Sequence, residues 1–186
     1  EKPLAITSEQ LEKVEKAYKE NGYKNAIHVG FNRRFSPHAQ KLKTVLGTAP
    51  MNIIATMNAG NIPANVWVHD MQVGGGRIIG EACHFIDLAR YLAGSAIQSV
   101  YATGFSENAG IIDTVSVNLT FTNGSVASVN YLANGNKDLP KEYMEVFCNG
   151  TVAILEDFLK LIFLQFLNLI LQIHPHFLEY LRHDQQ

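Results

Sequence analysis

At residue 96 the hydrophobic period of this chain changes, and the change limits the folds open to it. Before that point apolar residues recur at steps of three and four, the spacing of helices with one buried face. After it they alternate. Residues 98–105, 113–121, 125–132, 143–148 and 151–155 read as strands. Asn123–Gly124 and Asn149–Gly150 stand between neighbouring strands and are strong hairpin signals. Strands joined by tight turns are antiparallel. Helices first and a meander second predict an α+β fold with helices packed on one face of the sheet. Val115, Val117, Leu119 and Phe121 alternate with Ser116, Asn118 and Thr120. The second set forms an outer face of small polar residues, which meets either solvent or another copy of the chain.

The first half supplies the helices. Thr7 and Gln10 fit a capping box. The helix they open runs to about Asn21, with Leu11, Val14, Ala17 and Tyr18 as its buried face and Gly22 as its stop. Residues 26–32 read as a buried strand, and Ser36–Pro37 as a cap with proline at the first position of a second helix ending at Gly47. Residues 51–58 form a further strand. The loop 59–73 holds Trp67, His69 and Asp70, and its place before a candidate site suits substrate contacts.

That candidate site is the run from Gly74 to Leu92. Three glycines open it, and Ile78, Ile79, Ala82, Phe85, Ile86, Ala89 and Leu92 give one apolar face. Glu81, His84 and Asp87 stand three apart on neighbouring turns. An imidazole flanked by carboxylates suits proton transfer. Two other readings stay open: a hydrogen-bonded structural histidine, and a metal held by Glu81, His84 and Asp87.

The 186 residues suffice for one domain with a sizeable core, or one domain and an appendage. A net charge of −2 with mixed signs gives no nucleic-acid surface. Cys83 and Cys148 read as free thiols in a reducing compartment. The start is charged and polar, unlike a signal peptide. It lacks an initiating Met, so the expectation is a piece of a longer protein. From Leu159 the chain is nearly all Leu, Ile and Phe, with Lys160, Gln165, Asn168 and Gln172 as polar breaks. It is too short and too interrupted for a membrane span, and must pack on the domain or on a partner. His174, His176 and His183 read as surface residues rather than ligands.

Three features together resemble one family. They are Glu1–Lys2–Pro3, Gly30–Phe31–Asn32–Arg33–Arg34–Phe35, and Gly74–Gly75–Gly76 leading to His84-x-x-Asp87. In this order and spacing the chain resembles the glucose–fructose oxidoreductase/inositol dehydrogenase/MocA (Gfo/Idh/MocA) family over residues 1–158. The glycine-led motif is similar to that of a subgroup associated with bacterial surface-polysaccharide sugars. The resemblance implies two domains: an N-terminal Rossmann domain for NAD or NADP, and a C-terminal α+β domain with a large, mostly antiparallel open sheet. No Gly-x-Gly-x-x-Gly occurs here, so the chain corresponds to the second domain, with residues 159–186 as an atypical tail.

The implied roles follow residue by residue. Lys2 and Pro3 lie at the domain junction, and Lys2 stabilises developing oxyanion character beside the nicotinamide. His84 takes the hydroxyl proton. Arg33 and Arg34 bind an anionic group on the sugar, with Glu81 and Asp87 as further substrate contacts. No metal is implied, and this piece alone holds no dinucleotide. The implied protein is a cytoplasmic homodimer or tetramer. The family's Asp four residues before the His is here Gly80. Glu81 beside it is rotated by about 100° around a regular helix. A rival expectation follows: a binding or assembly module that kept the fold and lost the chemistry.

Overall fold

A computed structural model describes residues 2–24, 26–63, 65–106 and 112–165. Helix α1 is Ser8–Glu20, α2 is Pro37–Leu46 and α3 is Cys83–Ala93. The strands are β1 (Asn52–Asn58), β2 (Ile97–Phe105), β3 (Thr114–Phe121), β4 (Val126–Leu132), β5 (Glu142–Cys148), β6 (Thr151–Glu156) and β7 (Lys160–Gln165). They form one open sheet in the order β2-β3-β4-β1-β5-β6-β7. Every neighbouring pair is antiparallel except β1 with β4. The parallel pair arises because β1 enters the sheet between β4 and β5, far from both in sequence.

The turns explain the meander. Asn149 and Gly150 both have positive φ, 47° and 74°, as a two-residue turn matched to strand twist requires. The Asn123 side chain accepts from Ser125 N and donates to the Ala93 carbonyl, fixing the β3–β4 turn to the end of α3. The period-two pattern of β3 is realised: Val115, Val117, Leu119 and Phe121 are buried, and Ser116, Asn118 and Thr120 are exposed.

Helices α2 and α3 cover the inner sheet face, α2 against β6 and α3 against β4. Leu42, Leu46, Phe85, Leu88 and Leu92 meet Ile53, Val117, Val129, Tyr131, Met144 and Val146 in one core. The Ser36 side chain caps α2 by accepting from Ala39 N. Lys43 of α2 donates to the Leu92 carbonyl at 2.6 Å, satisfying an acceptor at the end of α3.

Two expectations are corrected. Residues 26–32 form no strand. They lie outside the sheet, and Asn32 N bonds back to Gly30 O in a tight turn centred on Phe31, with φ −74° and ψ 73°. No described strand offers its edge to this segment, so its polar backbone has no ladder to join. The apolar face of α1 is not buried either: no α1 residue is buried, and Leu11 is 48 % exposed. Local signals formed the helix, with Thr7 accepting from Gln10 N as its cap. Nothing in the sheet is placed to cover it.

The first residues of the apolar tail join the sheet as β7, in register with β6. Residues 166–186, including His174, His176 and His183, lie outside the described ones. No helix among the described residues is long and apolar enough to cross a membrane.

Candidate functional site

The glycine-led run folds in two parts. Gly74 is closed against the preceding loop, and a Cβ there would lie 2.5 Å from Val68 Cα. Gly75 and Gly76 turn with φ of 71° and 81°, values open to glycine and strained for other residues. A π turn follows over Ile78–Ala82, and α3 then continues to Ala93. Turns of this wider kind recur at functional sites, because the extra residue re-aims the side chains around it. The regular spacing expected of Glu81, His84 and Asp87 is therefore broken. Each of the three finds different partners.

His84 is 7 % exposed and packs edge-on to Phe31, with ring centroids 6.2 Å apart. Nδ1 is sealed without a hydrogen-bond partner. Nε2 makes no hydrogen bond among the described residues and is not sealed in the same way. Burial first, then the nearby charges of Arg33 and Lys2, push its pKa down to about 3. The imidazole is thus neutral at neutral pH.

Lys2 reaches the same helix. Its Nζ donates to the carbonyl of Gly80, one turn before His84. The N-terminal lysine and the histidine, 82 positions apart by number, are brought within electrostatic reach. Cys83 sits between them in sequence, and burial raises its thiol pKa. Cys83 and Cys148 are both free thiols.

Arg33 and Arg34 sit on a 3₁₀ turn, Asn32–Phe35, and diverge. Arg33 forms a two-pronged pair with Glu142 at the start of β5, with Nε 3.2 Å from Oε2 and Nη2 on Oε1. Its guanidinium lies 5.7 Å from the Phe85 ring centroid. Arg34 pairs in the same way with Asp87, with Nε 2.9 Å from Oδ2, and lies over Tyr91 at 5.4 Å. The two pairs clamp the turn onto α3 and β5. Arg34 Nη1 has no protein partner among the described residues.

Glu81 turns toward the sheet. Tyr131 Oη donates to its Oε2, and Arg77 Nη2 lies 3.5 Å from the same oxygen. Burial, then Glu81, raise the Tyr131 pKa far above the usual phenol value, so the hydroxyl remains a donor. Arg77, Tyr131 and Glu142 were not foreseen from sequence. Arg77 stands beside an apolar run, and Tyr131 lies within the strand 125–132 with no further signal. Glu142 carried no signal, because its partner stands 109 positions away.

Among the described residues no group of three or more His, Cys, Asp or Glu is placed to hold a metal ion. No described strand leads through a Gly-x-Gly-x-x-Gly turn into a helix.

The architecture is that of oxidoreductases of known structure. An NAD-binding oxidoreductase from Klebsiella pneumoniae superposes with a TM-score of 0.76 over 90 % of this chain and 50 % of its own, at 20 % identity, a likeness of fold. The chain belongs to the GFO/IDH/MocA family, residues 47–152 matching the model of its C-terminal domain. An uncharacterized oxidoreductase of Bacillus subtilis is 32 % identical over 139 residues, 69 % of this chain and 39 % of that protein. A myo-inositol 2-dehydrogenase of Thermotoga maritima is 30 % identical over 138 residues, 69 % of this chain and 40 % of that protein. The chain thus spans about two fifths of the length of the curated relatives it matches.

Proposed function

We propose that this chain is the substrate-binding and oligomerisation half of an NAD(P)-dependent oxidoreductase acting on a sugar, cyclic polyol or nucleotide sugar. The observation that carries the reading is Lys2 bonded to the Gly80 carbonyl, four residues before His84, with its charge felt by the imidazole. The nicotinamide, held by a Rossmann domain outside this chain, supplies the hydride acceptor.

This chain's residues handle the proton and the charge. A substrate hydroxyl placed at His84 Nε2 meets a neutral imidazole with an unoccupied nitrogen. The hydroxyl proton passes to the imidazole as the C–H bond breaks, because departure of the hydride makes that proton steadily more acidic. Lys2 and Arg33 beside it favour the oxyanion character of the same oxygen. Arg34, held by Asp87, presents Nη1 to an anionic substituent; Glu81 serves hydroxyl groups. Pro3 continues the junction that places Lys2.

Two surfaces fit the rest of the assembly. The uncovered apolar side of α1 suits the missing Rossmann domain. The outer sheet face, with Ser116, Asn118 and Ser128 on one side and Ile54, Phe147 and Ile154 on the other, suits a second copy, giving a dimer or tetramer. The cellular site in this reading is the cytoplasm.

The test is a screen of the full-length protein. Myo-inositol, scyllo-inositol, glucose and a UDP-linked hexosamine are offered with NAD and with NADP, and absorbance of the reduced nicotinamide is followed. Turnover of at least one is expected. No turnover of any, in a folded protein that binds NAD(H), overturns the reading in favour of a non-catalytic module.

A further inference from the structure

Two buried side chains converge on one partly exposed carboxylate. Arg77 is 2 % exposed, and Tyr131 is fully buried. Arg77 Nη1 donates to the Gly60 carbonyl at 2.7 Å, which anchors the guanidinium from behind. Its Cζ lies 5.3 Å from the Tyr131 ring centroid. Both side chains address the same atom, Glu81 Oε2. The Glu81 side chain is 26 % exposed, and its other oxygen, Oε1, has no protein partner among the described residues.

A carboxylate that only meets solvent needs no such scaffold. Burying a guanidinium is costly, and water serves a surface Glu as well. Arg77 Nε is left buried without a partner, a further cost of holding this geometry. The arrangement does what a recognition site needs: it locks one carboxylate oxygen and leaves the second in a fixed place. The site also lies beside Gly80, where Lys2 is held, and three residues before His84.

We propose that Glu81 Oε1 accepts a hydrogen bond from one particular hydroxyl of the substrate, and that Arg77 and Tyr131 are the positioning residues that aim it. This rests on the sugar-oxidoreductase reading above. It adds a specificity device on the sheet side of the site, built from residues in β4 and the π turn.

The experiment uses the full-length protein and the best substrate among the four compounds of the screen, with its monodeoxy analogues. Tyr131→Phe removes one hydroxyl and keeps the ring under Arg77. It is expected to raise KM about tenfold with kcat within about twofold, roughly the loss of one hydrogen bond to a charged group. In Glu81→Gln the donors Tyr131 and Arg77 hold the amide oxygen, so the amide nitrogen takes the place of Oε1. Wild type should discriminate strongly against a single monodeoxy analogue, and Glu81→Gln, which replaces a charged acceptor with a neutral amide donor, should discriminate about tenfold less. A thermal melt confirms that each variant is folded.

A merely structural role would lower stability or kcat for all analogues alike, and that result overturns the proposal. So does an unchanged KM in both variants. If Tyr131→Phe does not fold, the Glu81→Gln analogue pattern decides alone. Absence of any turnover by wild type counts against the parent reading. Turnover with no analogue dependence at Glu81 counts against this proposal only.

Discussion

In the proposed reading His84 carries two demands on one ring. It must be neutral to accept a proton, and it must be close to cations that hold the oxyanion. Burial and the cations Arg33 and Lys2 meet the first demand by the same placement that meets the second. A stability signature follows. The folded imidazole, with a pKa of about 3, holds a proton less tightly than the unfolded one, at about 6.5. Its contribution is fully present above pH 6.5 and is lost as pH falls toward 3. The loss is about 1.4 kcal/mol per pH unit in that window. Urea midpoints of the 186-residue chain between pH 7 and 4 should fall more steeply for wild type than for His84→Leu. Parallel pH profiles would show that the ring is not held in this way. Gly74 gives a second residue-scale expectation. A Cβ there lies 2.5 Å from Val68 Cα, a contact no side-chain rotation relieves. Gly74→Ala should therefore lower the melting temperature, and an unchanged melt would show that the turn relaxes freely.

The elements divide into those whose reasons are local and those whose reasons are distant. The hairpins, α2, the end of α3 at Gly94 and the alternating β3 were legible because caps, Asn-Gly turns and the two periods act within a few residues. The strand expected at 26–32 was not realised. Its apolar run is local, but pairing depends on an edge supplied from elsewhere. The unburied face of α1 has the same cause: amphipathicity shows that a helix wants a cover, without showing that this chain supplies it. Lys2 and His84 were readable as residue types and through the family resemblance. The clamps were not, because Arg33–Glu142 and Arg77–Tyr131 join segments far apart in sequence. The clamp on the 3₁₀ turn is testable as an element. Arg33 and Glu142 side chains are both largely buried, so Glu142→Gln leaves a buried guanidinium poorly paired. A loss of roughly 3 kcal/mol in chemical unfolding is expected. A loss within experimental error would show that the turn docks without the ion pair.

At the scale of the molecule, one sheet face is filled by α2 and α3, and the other carries no described helix. Its β2–β4 side is a ladder of hydrogen-bonded small residues, Ser99 with Thr120, Ser116 with Asn130 and Ser128 with Asn118. Its β5–β7 side mixes apolar Phe147 and Ile154 with Glu145, Glu156 and Lys160. A face of this breadth predicts self-association, and sedimentation should give a dimer or tetramer at micromolar concentration; a monomer across the whole range would remove that part of the account. The proposed reading divides the intact protein into halves, one for the nucleotide and this one for substrate and proton. The most direct measurement is steady-state turnover of the full-length protein with His84→Ala, on the substrate found by the screen. The account predicts a kcat lower by roughly 10²–10⁴ with substrate affinity largely kept. Equal turnover by the variant and wild type would contradict it.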